Sequence, residues 1–324
     1  MNKLSEIKSP ISSELKTFND LFSKTMKSSV PLLNIITNYV LRRKGKQIRP
    51  VLVFLTAKMI GEINQTTYTA ASLVELLHTA TLVHDDVVDE AYERRGFLSI
   101  NALWKSKIAV LLGDYLLSRG LAISVETKEY DILEITNEAV KEMIEGELLQ
   151  IQKSRKLNIK EEDYFRIIKK KTATLLAACT ASGARSVTTD PDMINKMKVF
   201  GLHIGVAFQI KDDLFDYEKT SITGKPKGND LQEKKLTLPL IASLNKANKA
   251  DSKSIIRLIN NKSSKKDTFQ KVYDFVHKYE GVKYAEEKMI EYRQNALEIL
   301  NNFQDNKAKE SLKALVNFIV ERKN

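Results

Sequence analysis

The chain holds one cysteine, Cys179, with six prolines, twelve glycines and one tryptophan in 324 residues. A lone cysteine excludes a disulfide framework and fits a reducing compartment. Glycine and proline fall well below their usual shares of about 7% and about 5%, which argues against a turn-rich sandwich or barrel and for a helical chain. No stretch approaches 18 consecutive apolar residues, so no membrane span is expected. The opening MNKLSEIKSP lacks the apolar core of a secretory signal, so a cytoplasmic location is expected. Strictly alternating runs and Asn-Gly or Asp-Gly hairpin signals are missing. So are Pro/Ser-rich linkers and fixed-period repeats, and a single domain over 1–324 is expected.

What is present is a globular composition, 43% hydrophobic and 29% charged. Lys and Arg number 52 against 41 Asp and Glu, a net charge of +11. That balance suits an anionic partner such as nucleic acid, phosphorylated metabolites or a membrane surface, although a lysine-rich solvated exterior accounts for most of the excess. Helical periodicity runs from end to end. Leu4, Ile7, Ile11, Leu15 and Phe18 recur at helical spacings, and 51–91, 107–124, 131–153, 161–184 and 192–218 read as long helices. Shorter ones are expected at 236–245, 253–260, 267–278, 282–303 and 309–322. Two stretches look irregular: the basic Arg43–Pro50 and the Gly/Pro-punctuated Thr220–Asp230.

The strongest chemical signal is Asp85-Asp86-Val87-Val88-Asp89, which follows a largely apolar run. On a helix, positions i, i+1 and i+4 fall within an arc of roughly 100°. The same spacing recurs at Asp212, Asp213 and Asp216, again after an apolar run. One such pentad arises by chance in roughly one chain in twenty of this length, so it is the pair that carries weight. Converging carboxylates repel strongly in a low dielectric and need cations. An all-oxygen donor set with no Cys or His cluster suits Mg²⁺, which keeps waters and is completed by phosphate oxygens. A diphosphate held through metal ions is the expected ligand.

Basic groups fit that reading. Gly45, Lys46 and Arg49 form one cluster, Arg94 and Arg95 follow the first pentad, and Lys225 and Lys235 follow the second. Lys171 and Thr172 sit mid-helix. Taken singly, each cation is better read as a solvated surface charge. His78 lies two turns before Asp85 on the same face, and His84 has no assigned role. Glu147 and Gln150 read as orienting residues or as exposed ones. The run LRRKGKQIRP alone would suit nucleic acid, but no nucleic-acid-binding signature accompanies it.

The set GKQIRP, ELLHTATLVHDDVVDEAYERRG, GDYLL, EGELLQ, KKKTA, GVAFQIKDDLFDY, GKPKGNDLQEKKLTLPLI and GVKYAEEKM closely resembles the trans-polyprenyl diphosphate synthases, in the family's order, over residues 45–292. One departure is Glu233-Lys234-Lys235, where the family usually has Glu-Gly-Lys. The resemblance implies an all-α bundle around a deep central cavity, usually a homodimer. It implies head-to-tail addition of isopentenyl diphosphate to an allylic diphosphate of farnesyl or geranyl type. By the same resemblance Asp85, Asp86, Asp89, Asp212, Asp213 and Asp216 hold about three Mg²⁺ ions. Arg94, Lys171, Lys225 and Lys235 bind the allylic diphosphate. Gly45, Lys46, Arg49, His78 and Arg95 bind isopentenyl diphosphate, and Thr172 and Gln209 lie beside the allylic carbon. Thr220–Asp230 is the expected lid.

Product length is expected to follow cavity depth below the first pentad, about 5.4 Å per helical turn. Ala80 and Thr81, with Leu77 beneath, are small where the family's short-chain enzymes carry aromatics, and the two-residue insertion of many bacterial farnesyl-type enzymes is missing. A product of about C30–C45, a quinone side-chain precursor, is expected by family analogy. Val74, Leu112 and Leu116 are candidates for the floor, with plain core packing as their alternative. Shorter farnesyl or geranylgeranyl products, and a catalytic subunit of a heteromeric synthase, are the competing readings. A related cyclase is disfavoured by the second Asp pentad, and a nucleic-acid-binding protein is the remote one. Peripheral contact with anionic membranes fits the charge.

Overall fold

The computed structural model describes residues 3–42, 45–94, 96–154, 159–217, 235–260 and 265–322. Helices α1 (Lys3–Lys8), α2 (Ser12–Thr25), α3 (Pro31–Arg42), α4 (Ile48–Ile60) and α5 (Gln65–Val88) come first. A two-residue hairpin follows, β1 (Glu93–Arg94) against β2 (Phe97–Leu98). Then come α6 (Ile100–Thr127), α7 (Tyr130–Ser154), α8 (Glu161–Ile168), α9 (Thr174–Arg185) and α10 (Pro191–Phe215). The last five are α11 (Leu238–Lys246), α12 (Lys249–Asn260), α13 (Lys265–Lys278), α14 (Gly281–Leu300) and α15 (Lys307–Glu321). The all-α expectation holds.

Three local readings need correction. The helix expected over 51–91 is two helices, because Gly61 is extended and Asn64 starts α5 with a capping box to Thr67. Residues 31–42, left unassigned by periodicity, form α3. Arg94 does not end the pentad's helix: it lies on β1, where Gly96 at φ 75° permits the turn into β2.

The chain divides into two compact units, one of residues 1–140, 178–198 and 303–312, the other of 141–177, 199–302 and 313–324. The first is built around α4, whose Val51 to Leu55 are all fully buried, as a helix apolar on every side must be. α5 packs along α6, where Gly113 and Gly120, one heptad apart, admit His84 and Leu73. By length and composition α6 is apolar enough to cross a membrane; about a third of its apolar stretch is buried in the chain, with its glycines filled by α5 side chains. Cys179 is sealed in this unit, and burial pushes its thiol pKa up to about 12. The second unit has its own core, with Ile168, Val206, Ile210, Leu240 and Val276 among its members.

Candidate active site

In the first unit, α5 ends at Val88, so Asp85 and Asp86 occupy its last turn and Asp89 is its C-cap. The Asp89 N–H still bonds the Asp85 carbonyl at 2.8 Å, which continues the helical arc. Asp86 is 3% exposed, Asp85 is half-buried and Asp89 is exposed. A helix C-terminus carries the negative end of the macrodipole, so acids there are electrostatically out of place unless a cation joins them. Asn101 of α6 donates to the Asp86 carbonyl at 3.3 Å, and Ser99 ties Ala91 at 2.6 Å. These bonds fix the segment that carries Arg94.

A cavity of about 140 Å³ opens beside this helix end, lined by Gly45, Gln47, Arg49, Glu75, His78 and Asp86 among others. It brings Gly45, Arg49 and His78 to one wall. Lys46 is exposed and is not on the wall. Arg49 lies in the first turn of α4, so the cavity also faces a helix N-terminus, a natural anion site. Arg95 lies outside the described residues. His84 reaches over Gly113 instead, with Nε2 3.3 Å from the Val110 carbonyl and 3.5 Å from Asp114. Of the length-determining candidates, Ala80 has no exposed surface, Leu77 is buried near Gly120, and Thr81 is half-buried with its hydroxyl on the His78 carbonyl. Val74, Leu112 and Leu116 are at most 1% exposed, the signature of close core packing.

The second unit assembles its site around a π-turn, Lys169–Ala173, closed by the Thr174 N–H on the Lys169 carbonyl. Such bulges cluster at functional sites because they re-aim side chains within a helix. Two glycines grip it. A Cβ on Gly146 of α7 would meet the Lys171 nitrogen at 2.6 Å, and one on Gly205 of α10 would meet the Ala173 Cα at 2.4 Å. Lys170 bonds Glu142 and Glu145 of α7, each at 2.7 Å, and these bonds raise its pKa. Lys171 is paired with Glu147 and donates to Gln150 at 3.3 Å, so both side chains turn to Lys171 and not to solvent alone.

The close approach at Gly205 brings Gln209 to Thr172, whose hydroxyl donates to the Gln209 carbonyl oxygen at 2.8 Å. Gln209 in turn donates to Asp213 at 2.9 Å, and the Tyr164 hydroxyl donates to the other Asp213 oxygen at 2.6 Å. With its proton committed to Gln209, the Thr172 oxygen retains its acceptor lone pairs. Lys171, Thr172, Gln209, Asp213 and Lys235 all line one cavity of about 120 Å³. Lys225 and the expected lid lie outside the described residues. Asp212 turns to another partner, Arg322 of the C-terminal segment, and Asp216 lies in the turn after α10. Sequence reasoning missed Tyr164, Arg322, Gly146 and Gly205. Only the presence of Gly146 and Gly205 within the EGELLQ and GVAFQIKDD motifs offered a signal.

Among the described residues no three Asp, Glu, His or Cys side chains close round one point. The donors on offer are carboxylate oxygens in the last turns of two helices. That set fits Mg²⁺, which takes one or two carboxylates and completes its shell with water and phosphate oxygens.

A family model described as polyprenyl synthetase matches residues 30–276. The all-trans-nonaprenyl-diphosphate synthase (geranyl-diphosphate specific) of Rhodobacter capsulatus is 32% identical, over 98% of this chain and 97% of that protein. The crystal structure of a decaprenyl diphosphate synthase from the same bacterium aligns with a TM-score of 0.92 at 31% identity, covering 98% of each chain. A geranylgeranyl pyrophosphate synthase of Bacteroides thetaiotaomicron aligns with a TM-score of 0.84 at 34% identity, covering 99% of this chain and 100% of that one.

Proposed function

Because the chain belongs to the polyprenyl synthetase family and is a prenyltransferase, we propose that it adds isopentenyl diphosphate head-to-tail to an allylic diphosphate, releasing diphosphate. The product is all-trans and of medium to long chain, about C30–C45. One observation carries this reading: Lys171, Thr172, Gln209, Asp213 and Lys235 share a single cavity wall.

The difficult step is breaking the allylic C–O bond. Lys171 and Lys235 stabilise the charge growing on the departing diphosphate, a preorganised electrostatic effect. Asp213, held by Tyr164 and Gln209, and the other pentad aspartates would hold Mg²⁺, which when bound would supply Lewis-acid neutralisation of that same charge. Thr172 and Gln209 present oxygen dipoles to the cationic carbon. Gly45, Arg49 and His78 bind the isopentenyl diphosphate, the nucleophile whose double bond attacks the allylic carbon. The last proton leaves to the released diphosphate, since among the described residues no protein base stands out.

Exposed apolar residues on α6, among them Leu111, Leu121 and Val125, support a homodimer. The net charge of +11 supports peripheral contact with anionic membranes, and a lone buried thiol supports a cytoplasmic location. The test is incubation with farnesyl diphosphate, labelled isopentenyl diphosphate and Mg²⁺, then sizing of the dephosphorylated alcohols. Alcohols of medium to long chain are expected. Accumulation of geranylgeraniol alone would favour the second reading, a shorter-chain enzyme, which the 34% identity to the Bacteroides protein supports. No elongation by the pure protein would refute the assignment or require a partner subunit.

A further inference from the structure

The second pentad is occupied by the chain's own C-terminal segment. Arg322 Nη2 forms an ion pair with Asp212 Oδ1 and also donates to the Phe208 carbonyl at 3.4 Å. Its guanidinium lies 4.0 Å from the centre of the Phe208 ring and 5.4 Å from that of Phe215. The Arg322 side chain is 15% exposed and that of Asp212 39%. Among the described residues the buried Arg322 Nε meets no hydrogen-bond partner, and the ring faces and Nη2 hold the group in place. Asp212 is the first carboxylate of a triad read as cation-binding, and a fixed cation already stands on it.

We propose that Arg322 is a positioning residue that competes with divalent cation for Asp212, setting the Mg²⁺ concentration at which the second pentad loads. This rests on the prenyltransferase reading of that pentad. A guanidinium on a carboxylate lowers the local negative potential and takes an oxygen lone pair that a metal ion needs. The aromatic seat keeps the guanidinium near when Asp212 turns to a metal, because cation–π attraction to Phe208 and Phe215 does not require the carboxylate. The C-terminal segment thus responds to cation loading without leaving the site.

The test is the Mg²⁺ dependence of thermal stabilisation by inorganic diphosphate, with no prenyl substrate present. In Arg322→Gln the half-saturating Mg²⁺ concentration is expected to fall roughly three- to ten-fold, the scale of a partly exposed ion pair. Phe208→Leu, which loosens the seat and leaves Asp212 intact, is expected to shift it the same way by a smaller factor. An unchanged or raised half-saturation in both variants overturns the competition. Absence of any Mg²⁺-dependent stabilisation in the wild type would instead strike the metal reading itself, so the two failures are distinguishable.

Discussion

Tyr164 shows how one side chain beyond every motif can govern a motif. Its hydroxyl is buried and bonds Asp213 at 2.6 Å, while Gln209 holds the opposite oxygen at 2.9 Å. A hydrogen bond to a charged group contributes about 1.5–3 kcal/mol, and removing the donor leaves a buried acceptor short. Tyr164→Phe is therefore expected to lose about 1–3 kcal/mol in urea denaturation and to need more Mg²⁺ for half-maximal turnover. Wild-type values for both would show that this bond does not orient the carboxylate. Spacing along the chain disclosed Asp213, but Tyr164 is 49 residues away and nothing in its own neighbourhood marks it.

Among the elements, the π-turn is decisive. Lysines 169 to 171 read as an ordinary cationic stretch, and no local propensity distinguishes an i+5 turn from an α-helix. The turn persists because Gly146 and Gly205 allow α7 and α10 to close on it. Gly205→Ala places a methyl against the Ala173 backbone, which cannot yield as a side-chain tip would. Overpacking of this kind costs about 1–3 kcal/mol, and here it also separates Gln209 from Thr172. The expected outcome is a lowered melting temperature with kcat reduced by at least about ten-fold, since misplacement of about 1 Å is that costly. Normal kcat would mean that the Thr172–Gln209 bond is not needed.

The same scale bears on product length. Ala80 is sealed against its neighbours, so a phenyl ring there would overpack the core, whereas Thr81 retains accessible surface. Thr81→Phe is the cleaner probe and is expected to shorten the product towards geranylgeranyl or farnesyl length. Chromatography showing an unchanged product distribution would remove Thr81 from the wall. The hairpin after the first pentad was not foreseen because two-residue strands carry no alternation. Gly96 and the Ser99 bond to Ala91 impose it.

For the whole molecule, stability is linked to ligand. Each unit carries one pentad, and neither unit's described residues gather three metal donors without help. Mg²⁺ and diphosphate together are therefore expected to raise the melting temperature by roughly 3–8 °C at saturation, and either alone much less. A full shift with Mg²⁺ alone would point to a protein-only metal site, and no shift with both would contradict the diphosphate site.

The sequence alone determined the helical class, the two acidic triads and the basic loop of Gly45, Lys46 and Arg49; that His78 meets Gly45 and Arg49 at one cavity, and that Lys46 does not, came from the tertiary structure. Periodicity and spacing fix angles about a single helix, and a glycine among basic residues is legible wherever it falls. Partnership was decided by the tertiary structure. Asp212 and Asp213 are neighbours in the chain, yet one faces Arg322 and the other Tyr164 and Gln209. Adjacent positions on a helix point about 100° apart. What each then meets depends on which distant segment packs closest, and here that was set by two glycines and the C-terminal helix.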